Sequence, residues 1–287
     1  MNEIIKTVVV TGPTATGKTA SAVRLARLFG GEIVSVDSRQ VYRHMDLGTG
    51  KDRDEYGEIR CHLIDIADPQ SEEYNLARFC RDAFAAIRDI AARGRLPILC
   101  GGTALYLAAL LDGYRLPGGR LPPRSSGKPR VRQNPAAEES FEPPFRLDPL
   151  ILGIYLPRAE VHKRIETRLD DRIASGMIDE VRDLHDLYGV GYGKMEFFGL
   201  EYREVARYLQ GECTLLEMRN TLLCRIRQFA KRQDIFFRKL EREGHVIHWL
   251  DAGRDPDPAE LIRRFLDDIP LPAPRRRMID IHYGKTE

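Results

Sequence analysis

An α/β fold is predicted for this chain: a doubly wound parallel sheet followed by a helical C-terminal region. Three observations predict it. Short apolar runs bounded by turn residues alternate with helix-period segments through the first hundred residues. The first run ends in a glycine-flanked loop that opens a helix. From Arg158 onward the periodicity is almost entirely helical.

The elements follow in order. Thr7–Val10, Glu32–Val36, His62–Ile66 and Leu96–Cys100 read as strands. Thr19–Phe29 and Leu76–Ala92 read as helices, the second with Phe79, Ala83, Ile87 and Ile90 at helical spacing. Leu150–Leu156 adds a strand and Ala159–Ser175 the helix after it. Met177–Leu187 and Leu200–Leu209 are short helices, and Thr214–Glu243 is a long one. In that helix Leu222, Ile226, Phe229, Phe236 and Leu240 form an apolar stripe. Arg227, Lys231 and Arg238 fall on another face, with Arg225 and Arg232 nearby. His245–Leu250 is short enough to return to a sheet edge.

Between Tyr114 and Pro149 the pattern collapses. That stretch holds eight of the seventeen prolines, interleaved with glycine and basic residues. It is expected to be a poorly ordered connection. The chain thus divides into a core, 1–113, a Pro/Arg-rich segment, 114–149, a final core strand with helices, 150–250, and a tail, 251–287, exposed from Pro270 on.

Composition narrows the class. With 287 residues and 43% hydrophobic content, a substantial core can be buried. A net charge of +2 excludes a globally basic nucleic-acid coat but allows local basic clusters. The five cysteines are scattered with no CxxC pair, as for reduced thiols without a zinc finger. The N-terminus runs straight into the first strand, leaving no room for a signal peptide, and no apolar run is long enough to span a membrane. A cytoplasmic monomer is expected.

The loop Gly12-Pro13-Thr14-Ala15-Thr16-Gly17-Lys18-Thr19 lies between strand and helix as a phosphate-binding P-loop does, so an NTPase-like core is expected. Its backbone N–H groups and the helix N-terminus converge on anionic oxygens. Lys18 adds positive charge, and the Thr19 hydroxyl can ligate Mg²⁺. Nucleotide- and ATP-binding kinases share this loop with diphosphate-using transferases, so it leaves the phosphate unnamed.

In a doubly wound sheet the ligand crevice lies at the C-terminal ends of the strands. After the second strand, Asp37 can ligate the metal, accept a proton or cap a helix, and Gln40 can read a base edge. After the third, Asp65 is placed as an acid near a metal, and His62 reads as structural. After the fourth, Gly101 and Gly102 allow close backbone approach, and Thr103 can donate to a diphosphate or cap a helix.

These strings, in this order, resemble the tRNA dimethylallyltransferase family. Its GPTxxGKT, DSxQxY with a following GT-K, HLIDxxDP and GGTxLY strings match 12–19, 37–42 with 48–51, 62–69 and 101–106. Gly199-Leu200-Glu201-Tyr202-Arg203 is similar to its GLEYR/GYR string, and 227–233 to its RQxAKRQ string. The resemblance spans about 7–113 and 150–250. It implies transfer of a dimethylallyl group from dimethylallyl diphosphate to N6 of the adenosine 3′ of the tRNA anticodon, releasing diphosphate. Lys18, Thr19 with Mg²⁺ and the loop amides would hold the diphosphate; Asp37 would take the proton; Thr103 would sit near the diphosphate or the flipped base. Asp37, Ser38, Arg39, Gln40 and Thr103 would contact tRNA, and Arg227, Lys231 and Arg232 phosphates. The family's helical insertion, which grips the anticodon stem, has no counterpart string in 114–149.

Three other readings are an adenylate isopentenyltransferase acting on free nucleotide, a P-loop kinase of a small metabolite, and a non-catalytic RNA-binding relative. The kinase gives no role to Asp37–Gln40. A pure binder has no need of Lys18, Thr19, Asp37 and Thr103 together.

Overall fold

The computed structural model describes residues 3–71, 73–115, 140–251 and 257–281. In chain order the elements are β1 (Ile4–Thr11), α1 (Lys18–Phe29), β2 (Glu32–Ser35), α2 (Arg53–Tyr56), β3 (Cys61–His62), α3 (Leu76–Ala92), β4 (Pro97–Cys100), α4 (Ala104–Asp112), β5 (Tyr114–Arg115), β6 (Ser140–Phe141), β7 (Arg146–Tyr155), α5 (Arg158–Ala174), α6 (Met177–Asp186), α7 (Tyr192–Met195), α8 (Leu200–Leu209), α9 (Leu215–Arg242), β8 (Ile247–Asp251) and α10 (Pro258–Leu266).

Six strands form one parallel sheet in the order β3-β2-β4-β1-β7-β8. Because side chains alternate along a strand, each strand feeds both faces. Val9, Val34, Leu99 and Ile151 join the core under α3, α4 and the C-terminal helices. Val8, Val10, Ile33, Ile98, Leu150 and Leu152 join the core under α1 and α10. Parallel strands covered on both faces explain why the runs are continuously apolar. The doubly wound expectation holds. Among the described residues no helix is long and apolar enough to cross a membrane.

Two expectations are corrected and a third is refined. The strand expected at His62–Ile66 ends at His62, because Leu63 and Asp65 take φ of 64° and 57°, which no strand accommodates. The segment expected to be disordered has structured ends: β5 pairs antiparallel with β6, and β7 begins at Arg146, four residues before the expected start. Its basic residues Arg120, Arg124, Lys128, Arg130 and Arg132 lie outside the described residues. The tail is largely exposed from Pro270 on, as expected, but it is fastened before and within that stretch. α10 buries Leu261, Ile262 and Phe265. Lys6 Nζ donates to the carbonyls of Phe265 and Leu266, each at 2.9 Å. Arg276 lies 4.0 Å over the Tyr155 ring and pairs with Asp251 at 3.4 Å. Buried Glu241 accepts from Trp249 Nε1, Met278 N and Ile279 N at 2.8–2.9 Å.

Trp249 presses on Gly153 of the neighbouring strand, where an added Cβ would lie 2.4 Å from the indole. Gly153→Ala is therefore expected to destabilise the fold by about 1–3 kcal/mol through overpacking. Thermal melting checks this, with a fall of roughly 2–4 °C per kcal/mol expected for a chain of this size.

Candidate active site

Strand order brings the motifs together. β4 lies between β1 and β2, so its following loop sits between the P-loop and the loop after β2. Gly101 N donates to Val10 O at 3.2 Å and Val36 N to Cys100 O at 2.8 Å, which extends the sheet register into all three loops. Thr103 Oγ1 then accepts from Ser38 N at 3.2 Å.

The P-loop has the backbone that its sequence demands. Gly12 takes φ 146°, and a Cβ there would lie 2.7 Å from Ile154 O. Gly17, at φ 85°, starts α1. Thr16 Oγ1 and Lys18 Nζ both donate to Pro13 O, at 2.8 and 2.7 Å. Burial pulls the Lys18 ammonium down to about 8.

Three contiguous cavities meet here. A chamber of about 100 Å³ is lined by Thr14, Lys18, Thr19, Asp37, Thr103 and Arg168, among others. It shares Asp37, Thr103, Arg168 and Phe229 with a cavity of about 550 Å³, which adds Ser38, Arg39, Glu201, Arg203 and Arg232. It shares Lys18, Thr19 and Arg168 with a third of about 340 Å³ on the α5 side. The site is a passage with the P-loop lysine at its middle and a carboxylate beside it.

Most sequence-predicted residues therefore converge: Thr14, Lys18, Thr19, Asp37, Ser38, Arg39, Thr103 and Arg232 line it. Asp37 also serves its own turn, since Oδ1 accepts from Arg39 N at 2.8 Å. Gln40 borders the chamber, but both ends of its buried amide are used inside the protein. Oε1 accepts from Ser35 Oγ at 2.8 Å and Nε2 donates to Gly50 O at 3.1 Å, so it fixes a loop of the chamber wall and keeps one N–H for other partners. Asp65 is taken by Lys51, at 2.6 Å, and by Arg53. His62 is structural, bonded to Glu32 at 2.7 Å. Arg227 and Lys231 do not line the passage but border a groove with Arg158 and His162; Arg227 pairs with Glu166 at 2.8 Å, and Lys231 also lines a small cavity with Pro13. Successive helix residues turn by 100°, which separates these two from Arg232.

Other contributors carried no motif weight. Arg168 and Arg172 reach the passage from α5, packed over Gly50; only their i, i+4 spacing with Arg164 hinted at a shared face. Burial pushes the Glu201 carboxyl up, while Arg172 and Arg168 pull it down. Glu180 accepts from the N–H groups of Asp46, Leu47 and Gly48 at 2.6–3.0 Å and from the Tyr202 hydroxyl at 2.6 Å, pinning the loop that walls the larger cavity. Gln233, buried on α9, accepts from Thr14 N at 2.9 Å and donates to Gly102 O at 3.0 Å.

Mg²⁺ is bound through few protein oxygens together with substrate phosphates and water. The Thr19 hydroxyl and Asp37 carboxylate, hard oxygen donors on one small chamber, fit that mode.

Comparisons with known proteins agree with this arrangement. The family model described as IPP transferase matches residues 40–140 and 123–240, and that described as isopentenyl transferase matches residues 5–65. The tRNA dimethylallyltransferase 1 of Geotalea uraniireducens is 44% identical, over 91% of this chain and 98% of its own. The tRNA dimethylallyltransferase 2 of Trichlorobacter lovleyi is 41% identical, over 86% and 92%. Among solved structures, the full-length tRNA isopentenylpyrophosphate transferase of Bacillus halodurans aligns with a TM-score of 0.70 and 29% identity, over 93% of this chain and 96% of that one.

Two outcomes are expected of the site. The affinity of wild type for inorganic pyrophosphate, relative to Lys18→Arg, should fall as pH rises through about 8, where the lysine loses its charge. Calorimetric titration at several pH values checks this, and the ratio cancels the ligand's own ionisation. Gln233→Ala orphans one donor and one acceptor, so a loss of about 1–3 kcal/mol in stability is expected. Pyrophosphate binding should weaken with it, as read by denaturant unfolding and titration.

Proposed function

The chain belongs to the tRNA dimethylallyltransferase family, and we propose that it performs that family's reaction along this passage. Dimethylallyl diphosphate is the donor and N6 of the adenosine 3′ of the anticodon is the acceptor. The observation that carries this is the sharing of one small chamber by Lys18, Thr19, Asp37 and Thr103.

The donor's diphosphate lies on the P-loop amides, Lys18, Thr19 and Arg168, whose positive charge stabilises the leaving group. Mg²⁺, held by Thr19, would neutralise part of the phosphate charge when bound. The acceptor adenine leaves its stack and enters the larger cavity. As the exocyclic nitrogen bonds to the allylic carbon, the carbon–oxygen bond breaks and diphosphate departs with that electron pair. Asp37 accepts the proton that the nitrogen sheds. Thr103 positions the Asp37 loop by accepting from Ser38 N and keeps its own hydroxyl proton for donation.

Radiolabelled dimethylallyl diphosphate offered with unmodified tRNA, an anticodon stem-loop and AMP tests the reading. Label in tRNA supports it; label in AMP alone assigns the chain to the adenylate enzymes. Asp37→Ala is expected to lower kcat by about 10²–10⁴, the span of general-base catalysis. Pyrophosphate binding should stay near wild type, and an equal loss of binding would reassign Asp37 to a metal or structural role.

A further inference from the structure

Glu204, on α8, is 1% exposed, yet its carboxylate serves three arginines. Oε1 accepts from Arg203 Nε at 2.9 Å and from Arg225 Nη1; Oε2 accepts from Arg207 Nη1 at 3.3 Å. Arg207 Nε also donates to Glu212 at 2.9 Å. Three cations against two carboxylates leave a net positive charge. The arginine side chains are 31%, 42% and 34% exposed for Arg203, Arg207 and Arg225, so N–H donors remain facing water. A joint between α8 and α9 needs only Arg225; Arg203 and Arg207 lie on α8 with Glu204 and add nothing across the helix pair.

The cluster is continuous with the site. Arg203 lines the larger cavity together with Arg39 and Arg232. Among the described residues no carboxylate lies within ion-pair distance of either of those two. A strip of guanidinium groups thus runs from the cavity mouth out over α8 and α9.

Resting on the function proposed above, we propose that this strip is the track for the phosphodiester backbone of the RNA strand that flanks the extruded adenosine. Planar guanidiniums suit phosphate oxygens, which they grip in bidentate fashion. The buried Glu204 holds three of them in place beforehand and offsets their mutual repulsion, which lowers the ordering cost of binding. RNA is favoured over an acidic protein because the strip opens directly onto the acceptor cavity. On α9 the RNA-facing cations are then Arg225 and Arg232, on the side away from Arg227 and Lys231.

The test is tRNA affinity against salt concentration for Arg207→Gln, Arg225→Met and Arg225→Lys. Arg263→Gln on α10 controls for net charge. Each lost phosphate contact should make the slope of log K against log salt shallower by about 0.7–0.9. The KM for tRNA should rise about fivefold or more, while the KM for dimethylallyl diphosphate stays constant; a tenfold change would correspond to about 1.4 kcal/mol. Arg225→Lys should restore the slope, since charge is kept, and Arg263→Gln should leave it unchanged. Unaltered slopes in Arg207→Gln and Arg225→Met, with transfer to tRNA intact, overturn the track and leave the cluster a helix joint. Absence of transfer to tRNA by the wild type overturns the underlying function instead. Should Arg225→Met fail to fold, the more exposed Arg207→Gln decides alone.

Discussion

Gln233 accepts from the Thr14 N–H and donates to the Gly102 carbonyl, so one carboxamide on a C-terminal helix sets the spacing of two loops from adjacent strands. The rest of the site is built on that spacing. Thr103, one residue beyond Gly102, in turn receives the Ser38 N–H and so positions the loop bearing Asp37. A Cβ on Gly102 would stand 2.6 Å from the Gln233 amide, so the glycine and the glutamine form one fitted unit. Buried amides of this kind contribute through the cost of leaving either partner unpaired more than through their own strength.

Electrostatics follow the same economy. The chain is nearly neutral overall, and most described arginines are held by carboxylates, as Arg93 is by Glu32 and Asp89. Charge is left uncompensated where an anion is expected. Burial lowers the Lys18 ammonium to about 8, a position that an incoming diphosphate would reverse. The same burial makes Lys18 a stability cost below about pH 8 that is relieved towards its ordinary 10.5, because there the unfolded chain binds more protons.

Much of this was legible in the sequence. The P-loop, Asp37 and Thr103 could be placed because a strand, a turn and a helix start leave one geometry for the residues between them. Arg232 was legible as a basic residue, but that it lines a different cavity from Arg227 and Lys231 was not, because a helical stripe reveals its neighbours only after packing. The structural duty of Gln40 was hidden for a related reason: a polar side chain at a strand end serves the fold or the ligand equally well until its hydrogen bonds are known. Arg168, Glu180 and Gln233 act across 100 residues or more and left no local pattern. Leu63 and Asp65 show the opposite failure, an apolar run whose left-handed backbone no periodicity reveals.

The fastening of the chain's last stretch has a consequence for synthesis. Lys6 is held by Phe265 and Leu266, and Glu241 grips Met278 and Ile279 beneath the helix that carries Gln233. The P-loop leaves the ribosome well before the side chain that completes it, since Thr14 and Gln233 lie 219 residues apart. A polypeptide stalled before α9 therefore presents an unfinished anion site, and competence to hold an anion there is deferred until that helix has been made.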